Sequence, residues 1–155
     1  ALGHGLPVAV GLALAAKKSN SSRRIFLITG DGELAEGSNW EAALAAAHYG
    51  LDNLVIINDK NNLQLAGPTR EIMNTDPLAD KWKAFGMTVT ECQGNDMASV
   101  VATLEGLKQE GKPNVIIANT TKGAGISFIQ GRPEWHHRVP KGEEITLALE
   151  ELKDE

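Results

Sequence analysis

The sequence predicts an α/β fold, with a mostly parallel sheet and helices on both of its faces. Three apolar runs support this prediction, Ile25 to Thr29, Leu54 to Asn58 and Asn114 to Asn119. They are apolar without strict alternation, as expected for strands that helices cover on both sides. Helical segments alternate with these runs, and that order is typical of right-handed βαβ units with parallel strands.

The composition is that of an ordinary globular domain. The chain has 155 residues, of which 42% are hydrophobic and 23% charged, so it is long enough for one domain with its own core. A net charge of −5 and a pI near 5.4 leave no basic surface for nucleic acid, and we expect no such partner. Any phosphate group must therefore be bound locally, by backbone, a metal ion and a few cations.

Cysteine content and hydropathy indicate in which cellular compartment the protein is expected. The single cysteine, Cys92, excludes an intrachain disulfide framework, and no apolar stretch approaches the roughly 20 residues of a membrane span. We therefore expect a reducing, cytoplasmic setting without a membrane partner. The chain begins at Ala1 within a glycine-rich turn, so we interpret residues 1 to 155 as one domain truncated at its N-terminus.

The first helix is predicted to follow a turn at Gly3 to Gly5. Its segment from Val8 to Ala16 is apolar on every side, with Lys17 and Lys18 in the last turn. Two interpretations stay open for such a helix. It is buried only under its own sheet, or it also packs against another domain or subunit.

The remaining elements follow from capping and turn residues. Ser38, with Glu41 three residues later, predicts a capping box at the start of the second helix. Further along, the pattern predicts an irregular loop over Gln64 to Asp76, a helix from Pro77 to Phe85, a strand near a sheet edge from Met87 to Cys92, a helix from Asp96 to Gln109 with an apolar stripe, and an acidic amphipathic helix from Glu143 to Glu155.

Polar residues follow two of the predicted parallel strands at the same edge of the sheet. Asp31 comes directly after the first strand, between Gly30 and Gly32, and Asn61 follows the second. The glycines let the backbone and its amides approach an anion, while the carboxylate would repel a phosphate on its own. Mg²⁺ between the two groups removes that conflict, because it is usually shared between a few protein oxygens and substrate phosphates. Asp31, the side-chain oxygen of Asn61 and a carbonyl near Leu63 are the predicted metal ligands.

Three separated motifs resemble the transketolase family. GDGELAEGSNWEA with GLDNLVIINDKNNL, starting at Gly30 and Gly50, is similar to its thiamine diphosphate motif. LGHGL, starting at Leu2, resembles its cofactor-contacting turn, and TKGAGISF with PEWHHRVP, from Thr121 to Pro140, resembles its lysine- and histidine-bearing loop. The motifs occur in the family's order and cover nearly the whole chain.

The resemblance implies a thiamine diphosphate-binding fold and a role for each matching residue. Mg²⁺ or Ca²⁺ would be bound by Asp31, Asn61 and Leu63. His136 would lie near the reacting carbon and move hydroxyl protons, a role that suits an imidazole at neutral pH. The implied cofactor contacts are Leu2, Gly3, Gly30, Gly32, Asn61, Lys122 and His136.

Three details of this assignment stay open. Surface positions are the alternative interpretation for Lys122 and for the His136 loop. His137 replaces a glycine of the family pattern, which leaves the local backbone in question because glycine can adopt positive φ.

The implied reaction is transfer of a two-carbon ketol unit from a ketose phosphate to an aldose phosphate. The family also uses a glutamate of a pyrimidine-binding domain, which this sequence lacks. We therefore expect half an active site, completed by a pyrimidine-binding, C-terminal subunit or domain in a dimer or heterotetramer. The alternatives are a subunit of another thiamine diphosphate enzyme, such as a 2-oxoacid dehydrogenase E1 or a deoxyxylulose-phosphate synthase, and a non-catalytic assembly subunit with the same fold.

Overall fold

The computed structural model of the chain describes residues 1–153. Within these residues lie six α-helices, six β-strands and two short 3₁₀ turns, the latter at Gly32–Ala35 and Pro133–His136. In chain order the helices and strands are α1 (Gly5–Lys18), β1 (Ile25–Gly30), α2 (Gly37–His48), β2 (Leu54–Lys60), β3 (Leu63–Gln64), β4 (Gly67–Pro68), α3 (Thr69–Ile72), α4 (Leu78–Ala84), β5 (Thr88–Gln93), α5 (Met97–Glu105), β6 (Asn114–Asn119) and α6 (Glu143–Glu151).

Four of the strands form one parallel sheet in the order β1-β2-β6-β5. Its register brings the carboxyl ends of β1, β2 and β6 together, since Gly30 pairs with Asp59 and Asp59 pairs with Ala118. The loops that follow β1, β2 and β6 therefore leave the sheet at one edge. Ligands of open α/β sheets bind at this carboxyl edge.

Helices cover both faces of the sheet, so the predicted fold class is confirmed. Successive residues of β2 alternate between the faces, as strand geometry requires. Leu54 and Ile56 pack in the larger core with the inner sides of α1, α2 and α4. Val55 lies in a smaller cluster on the other face, where Val100 and Leu104 of α5 cover it.

The edge strand β1 is only partly covered. Phe26 and Ile28 are 50% and 71% exposed. The neighbouring helix α1 buries its inner side but exposes Val8 and Leu12 on its outer side. Burial under the sheet thus accounts for one side of α1, and packing of its outer side against another domain or subunit stays a prediction.

The predicted capping box at Ser38 is wrong. Helix α2 begins at Gly37, with Glu36 as its N-cap residue and no side-chain cap hydrogen bond. The Ser38 hydroxyl instead donates to the carbonyl of Gly3, at 2.7 Å. A contact with a distant part of the chain has replaced the local cap.

Other element boundaries also differ from the predictions. Helix α5 ends at Glu105, before Gly106, and its Met97 and Val101 are exposed because the helix covers only part of the sheet. The loop predicted to be irregular contains the antiparallel β3–β4 pair and the helical turn α3. Helix α6 ends at Glu151, while Asp154 and Glu155, the end of the predicted tail helix, lie outside the described residues. No helix among residues 1–153 is long and apolar enough to cross a membrane.

The buried side chain of Asn58 ties three elements together, and its removal should destabilise the fold. Its Oδ1 accepts from Trp82 Nε1 at 2.8 Å, and its Nδ2 donates to the hydroxyl of Thr29. Asn58→Ala leaves the indole N–H without a partner and opens a cavity, so the free energy of unfolding should fall by about 2–4 kcal/mol. Urea denaturation followed by circular dichroism measures this loss. The exposed Gln109→Ala is the control, and equal midpoints for both variants would contradict the assigned role of Asn58.

Candidate functional site

A depression of about 510 Å³ opens at the carboxyl edge of the sheet. Such a volume is within the usual range of small-molecule sites. It is lined by Leu2, Gly30, Asp31, Gly32, Glu33, Asp59, Asn61, Leu63, Gln64, Leu65, Lys122, His136 and His137. Every site residue predicted from the sequence lines the depression except Gly3. Gly3 is buried, and its N–H donates a hydrogen bond to the Glu33 side chain. The structure therefore brings these residues together, while their individual roles stay predictions.

Asp31 links the first two strand ends. It is only 2% exposed, its Oδ1 accepts from Gly32 N at 2.8 Å, and its Oδ2 accepts from Asn62 N at 2.6 Å. Its own N–H donates to the carbonyl of Asp59. The carboxylate is thus oriented by backbone groups of both loops before any ligand binds.

The turn after β2 holds Asn61 and Leu63 beside this carboxylate. Asn62 adopts φ 61°, in the left-handed region that asparagine tolerates, and its N–H then faces Asp31. Asn61 Oδ1 accepts from Leu63 N at 3.0 Å. The prediction that Asp31 and Asn61 come out at the same edge agrees with this geometry.

The site concentrates negative charge that no ion pair neutralises within the described residues. Neither Asp31 nor Asp59 pairs with a lysine, arginine or histidine of residues 1–153. Burial raises the pKa of Asp31 above its ordinary value and the Asp59 carboxylate adds to this, while the N–H groups of Asn62 and Gly32 act in the opposite direction. A bound cation would relieve this repulsion.

The oxygen atoms of the site suit a hard cation that is also bound by oxygen atoms of a ligand. No group of three or more His, Cys, Asp or Glu side chains that could hold a metal occurs in the described part of the chain. A metal here would need amide, carbonyl and ligand oxygens in addition to Asp31, which is how Mg²⁺ is usually bound beside phosphates.

The two glycines beside Asp31 differ in how readily they could contact a ligand. A Cβ added at Gly30 would meet nothing within 4 Å, so this position leaves space for a ligand. The N–H of Gly32 already donates to Asp31. A contact between this amide and a diphosphate would require that bond to be shared or exchanged, and it stays a prediction.

The turn at Leu2 and Gly3 is fixed from both sides. Gly3 N donates to Glu33 Oε1 at 2.9 Å, and Gly3 O accepts from the hydroxyl of Ser38 at 2.7 Å. Its φ of 77° favours glycine, and a Cβ added at this position would lie only 2.6 Å from the Cβ of Glu36. These contacts hold Leu2 at the rim of the depression.

A buried tryptophan anchors the histidine loop. Trp135 packs edge-on to Phe128 at 5.4 Å, and the Arg138 guanidinium lies 4.1 Å from its ring centroid. His136 and His137 follow on the exposed side and face the depression with Lys122. Lys122 makes no ion pair with any residue that the structure describes, so its charge is available to an anion.

The environment of His136 favours the neutral imidazole. Partial loss of solvation lowers the pKa of His136, and the charge of Lys122 and the His137 ring lower it further. A neutral ring at neutral pH can accept a proton. The backbone question at His137 is answered by its φ of −120°, which any residue adopts, so glycine is not required there.

Sequence reasoning missed Asp59 as a member of the site. Its carboxylate accepts from the Thr120 hydroxyl and from Asn61 Nδ2, the latter at 3.3 Å. Asp59 is next to the end of β2 and two residues before Asn61. Because residues two apart in a strand point to the same face, this spacing could have indicated that Asp59 lies beside Asn61. Thr120 gave no comparable signal, because its partner is 61 residues away in the chain.

Comparisons with known proteins find relatives among transketolase subunits. The chain is 76% identical, over its whole length and 56% of the relative, to an apulose-4-phosphate transketolase subunit from Actinobacillus succinogenes. It is 41% identical, over 99% of its length and 56% of the relative, to a 6-deoxy-6-sulfo-D-fructose transketolase subunit from a Clostridium species. The chain therefore spans about half the length of these curated relatives.

The fold has a close counterpart among solved structures. A transketolase of Campylobacter jejuni superposes with a TM-score of 0.92 and 32% identity, over 98% of this chain and 25% of that protein. Residues 1–153 also match the family profile described as transketolase, thiamine diphosphate binding domain. The chain with this carboxyl-edge site belongs to the transketolase family, as a thiamine diphosphate-binding domain.

Proposed function

We propose that this chain supplies the metal and diphosphate half of an active site that transfers a two-carbon ketol unit from a ketose phosphate to an aldose phosphate. The observation that carries the proposal is the single depression that gathers Asp31, Asn61, Leu63, Lys122 and His136. These residues come from two of the three motifs that resemble those of the transketolase family, and Leu2 of the third motif lines the same depression.

The residues present fit thiamine diphosphate with a divalent cation, Mg²⁺ or Ca²⁺. Asp31, the Asn61 side-chain oxygen and the Leu63 carbonyl would bind the cation, whose charge offsets the Asp31 and Asp59 carboxylates. Lys122 would neutralise part of the diphosphate. The remaining contacts with the cofactor would come from Leu2, Gly3, Gly30, Gly32 and His136.

The cofactor and the protein divide the chemistry between them. When bound, thiamine diphosphate supplies the carbanion chemistry that breaks a carbon–carbon bond beside a ketose carbonyl. His136 would accept and return protons at substrate hydroxyls, and the lowered pKa of His136 favours the neutral ring that accepts the first proton. Lys122 keeps a positive charge next to the anionic ligands.

The partner would be a pyrimidine-binding subunit or domain. Two relatives are named as subunits of apulose-4-phosphate transketolases, and a third is named as a subunit of a sulfosugar transketolase. Those names support a transketolase divided between chains. We propose that the partner contributes the glutamate that activates the cofactor and that the complex is a dimer or heterotetramer.

Restoring the partner tests the function directly. The chain alone should transfer no ketol unit, while the chain mixed with a pyrimidine-binding partner, thiamine diphosphate and Mg²⁺ should do so. Apulose 4-phosphate, named in the 76% identical relative, is the first donor to assay, with an aldose phosphate as acceptor and chromatography of the sugar products as the readout. Transfer by the purified chain, with the partner excluded by mass spectrometry, would refute the division of the site.

Asp31→Ala should abolish cofactor binding that depends on metal. Without this carboxylate the cation loses its charged protein ligand, so affinity for thiamine diphosphate in the complete complex should fall by at least ~100-fold. Calorimetry with and without a chelator measures the effect. Asp80→Ala, which removes an exposed carboxylate of α4, should bind normally. Undiminished affinity in Asp31→Ala would exclude Asp31 as a metal ligand.

The two adjacent histidines should differ in turnover. His136→Ala should lower ketol transfer by about 10²–10⁴-fold while cofactor affinity stays within about threefold, because proton transfer is lost and the metal site is intact. His137→Gly should be tolerated, since position 137 has an ordinary φ. Steady-state kinetics of both variants, with the exposed His48→Ala as control, give the ranking. A larger defect in His137→Gly would assign the role to His137.

A further inference from the structure

Asp59 lines the site, but the function proposed above makes it neither a metal ligand nor a cofactor contact. It is the residue before the end of β2, it is half-buried, and it lines the depression between Asp31 and Asn61. Within residues 1–153 no lysine, arginine or histidine forms an ion pair with it. A half-buried carboxylate that forms no ion pair with a basic side chain of the described residues calls for a structural explanation.

Both oxygens of Asp59 are occupied by neutral donors. Oδ1 accepts from the Thr120 hydroxyl at the end of β6, and Oδ2 accepts from Asn61 Nδ2 at 3.3 Å. The carboxylate thus joins the loops that follow two neighbouring strands. It is held by Thr120 on one side and bonds the Asn61 amide on the other.

This contact favours one of the two orientations of the Asn61 amide. An ionised carboxylate only accepts hydrogen bonds, so it can bond the NH₂ end of the amide and not the oxygen end. The N–H of Leu63 donates to Asn61 Oδ1 at 3.0 Å and selects the same orientation. With the amide reversed, its NH₂ group would face a bound cation and repel it.

We propose that Asp59 is a positioning residue that, itself held by Thr120, keeps the amide oxygen of Asn61 directed to the cation. The inference rests on the proposed function, in which Asn61 is a metal ligand. Asp59 acts through Asn61 and not on substrate. Partners that orient a metal ligand typically account for about 10–100-fold in metal affinity.

The matched pair Asp59→Ala and Asp59→Asn tests the proposal. The readout is the Mg²⁺ concentration that half-saturates thiamine diphosphate binding to the complete complex, measured by calorimetry. Asp59→Ala removes one of the two contacts that orient the Asn61 amide and leaves only the Leu63 N–H, so the required Mg²⁺ should rise about 10–100-fold. In Asp59→Asn a side-chain oxygen can still accept from Asn61 Nδ2 and the new NH₂ can donate to the Thr120 hydroxyl, so the rise should stay within about threefold.

Thr120→Val gives a second route to the same answer if Asp59→Ala does not fold. It keeps the shape of the side chain and releases only Asp59, so the required Mg²⁺ should rise about three- to tenfold. The exposed Glu105→Gln should change nothing. Melting temperatures measured without metal separate a folding defect from a binding defect. Loss of a merely structural residue would lower the melting temperature and leave the Mg²⁺ requirement unchanged.

Each result decides between defined explanations. Equal loss in Asp59→Asn and Asp59→Ala would show that the charge of Asp59, not its orientation of Asn61, matters, and would overturn the proposal. Wild-type Mg²⁺ dependence in Asp59→Ala or in Thr120→Val would also overturn it. Binding of thiamine diphosphate to the unaltered complex without any metal dependence would instead refute the proposed function.

Discussion

The carboxyl ends of the parallel strands meet at one edge of the sheet, and this register constrains everything else in the site. Asp31 can accept from the N–H of Asn62 only because β1 and β2 end at the same level. Asp59 can reach Thr120 only because β6 ends beside β2. A shift of one residue in either pairing would turn these side chains to the opposite face. The apolar residues of β2, buried on both faces, hold the register that the polar residues need.

The residues that could be placed from the sequence are those whose position follows from strand ends. Asp31, Asn61 and Lys122 each follow a strand of the same parallel sheet, and parallel topology alone brings such positions together. His136 was found only through the resemblance of its loop to a family motif. Its position depends on the packing of Trp135 against Phe128, which no local pattern of the sequence shows.

The errors also have physical causes. Ser38 has the residue type and spacing of a helix cap, but the carbonyl of Gly3 competes for its hydroxyl, and that competitor is 35 residues away. The apolar stripe predicted on the fifth helix is only partly covered, since Val100 and Leu104 of α5 pack against the sheet while Met97 and Val101 are exposed. Local patterns report what an element can bury, and tertiary structure decides what it does bury.

Trp40 has a consequence for spectroscopy. Its indole N–H donates to the carbonyl of Leu34 at 2.8 Å, in the 3₁₀ turn that begins directly after Asp31. The same ring lies 4.9 Å from that of Trp82 and 5.3 Å from that of Phe85, in the packed interior. One chromophore therefore has its hydrogen bond in the site loop and its ring against the rigid core. We therefore expect Trp40, one of the three tryptophans of the chain, to be an intrinsic fluorophore whose emission responds to changes in that loop.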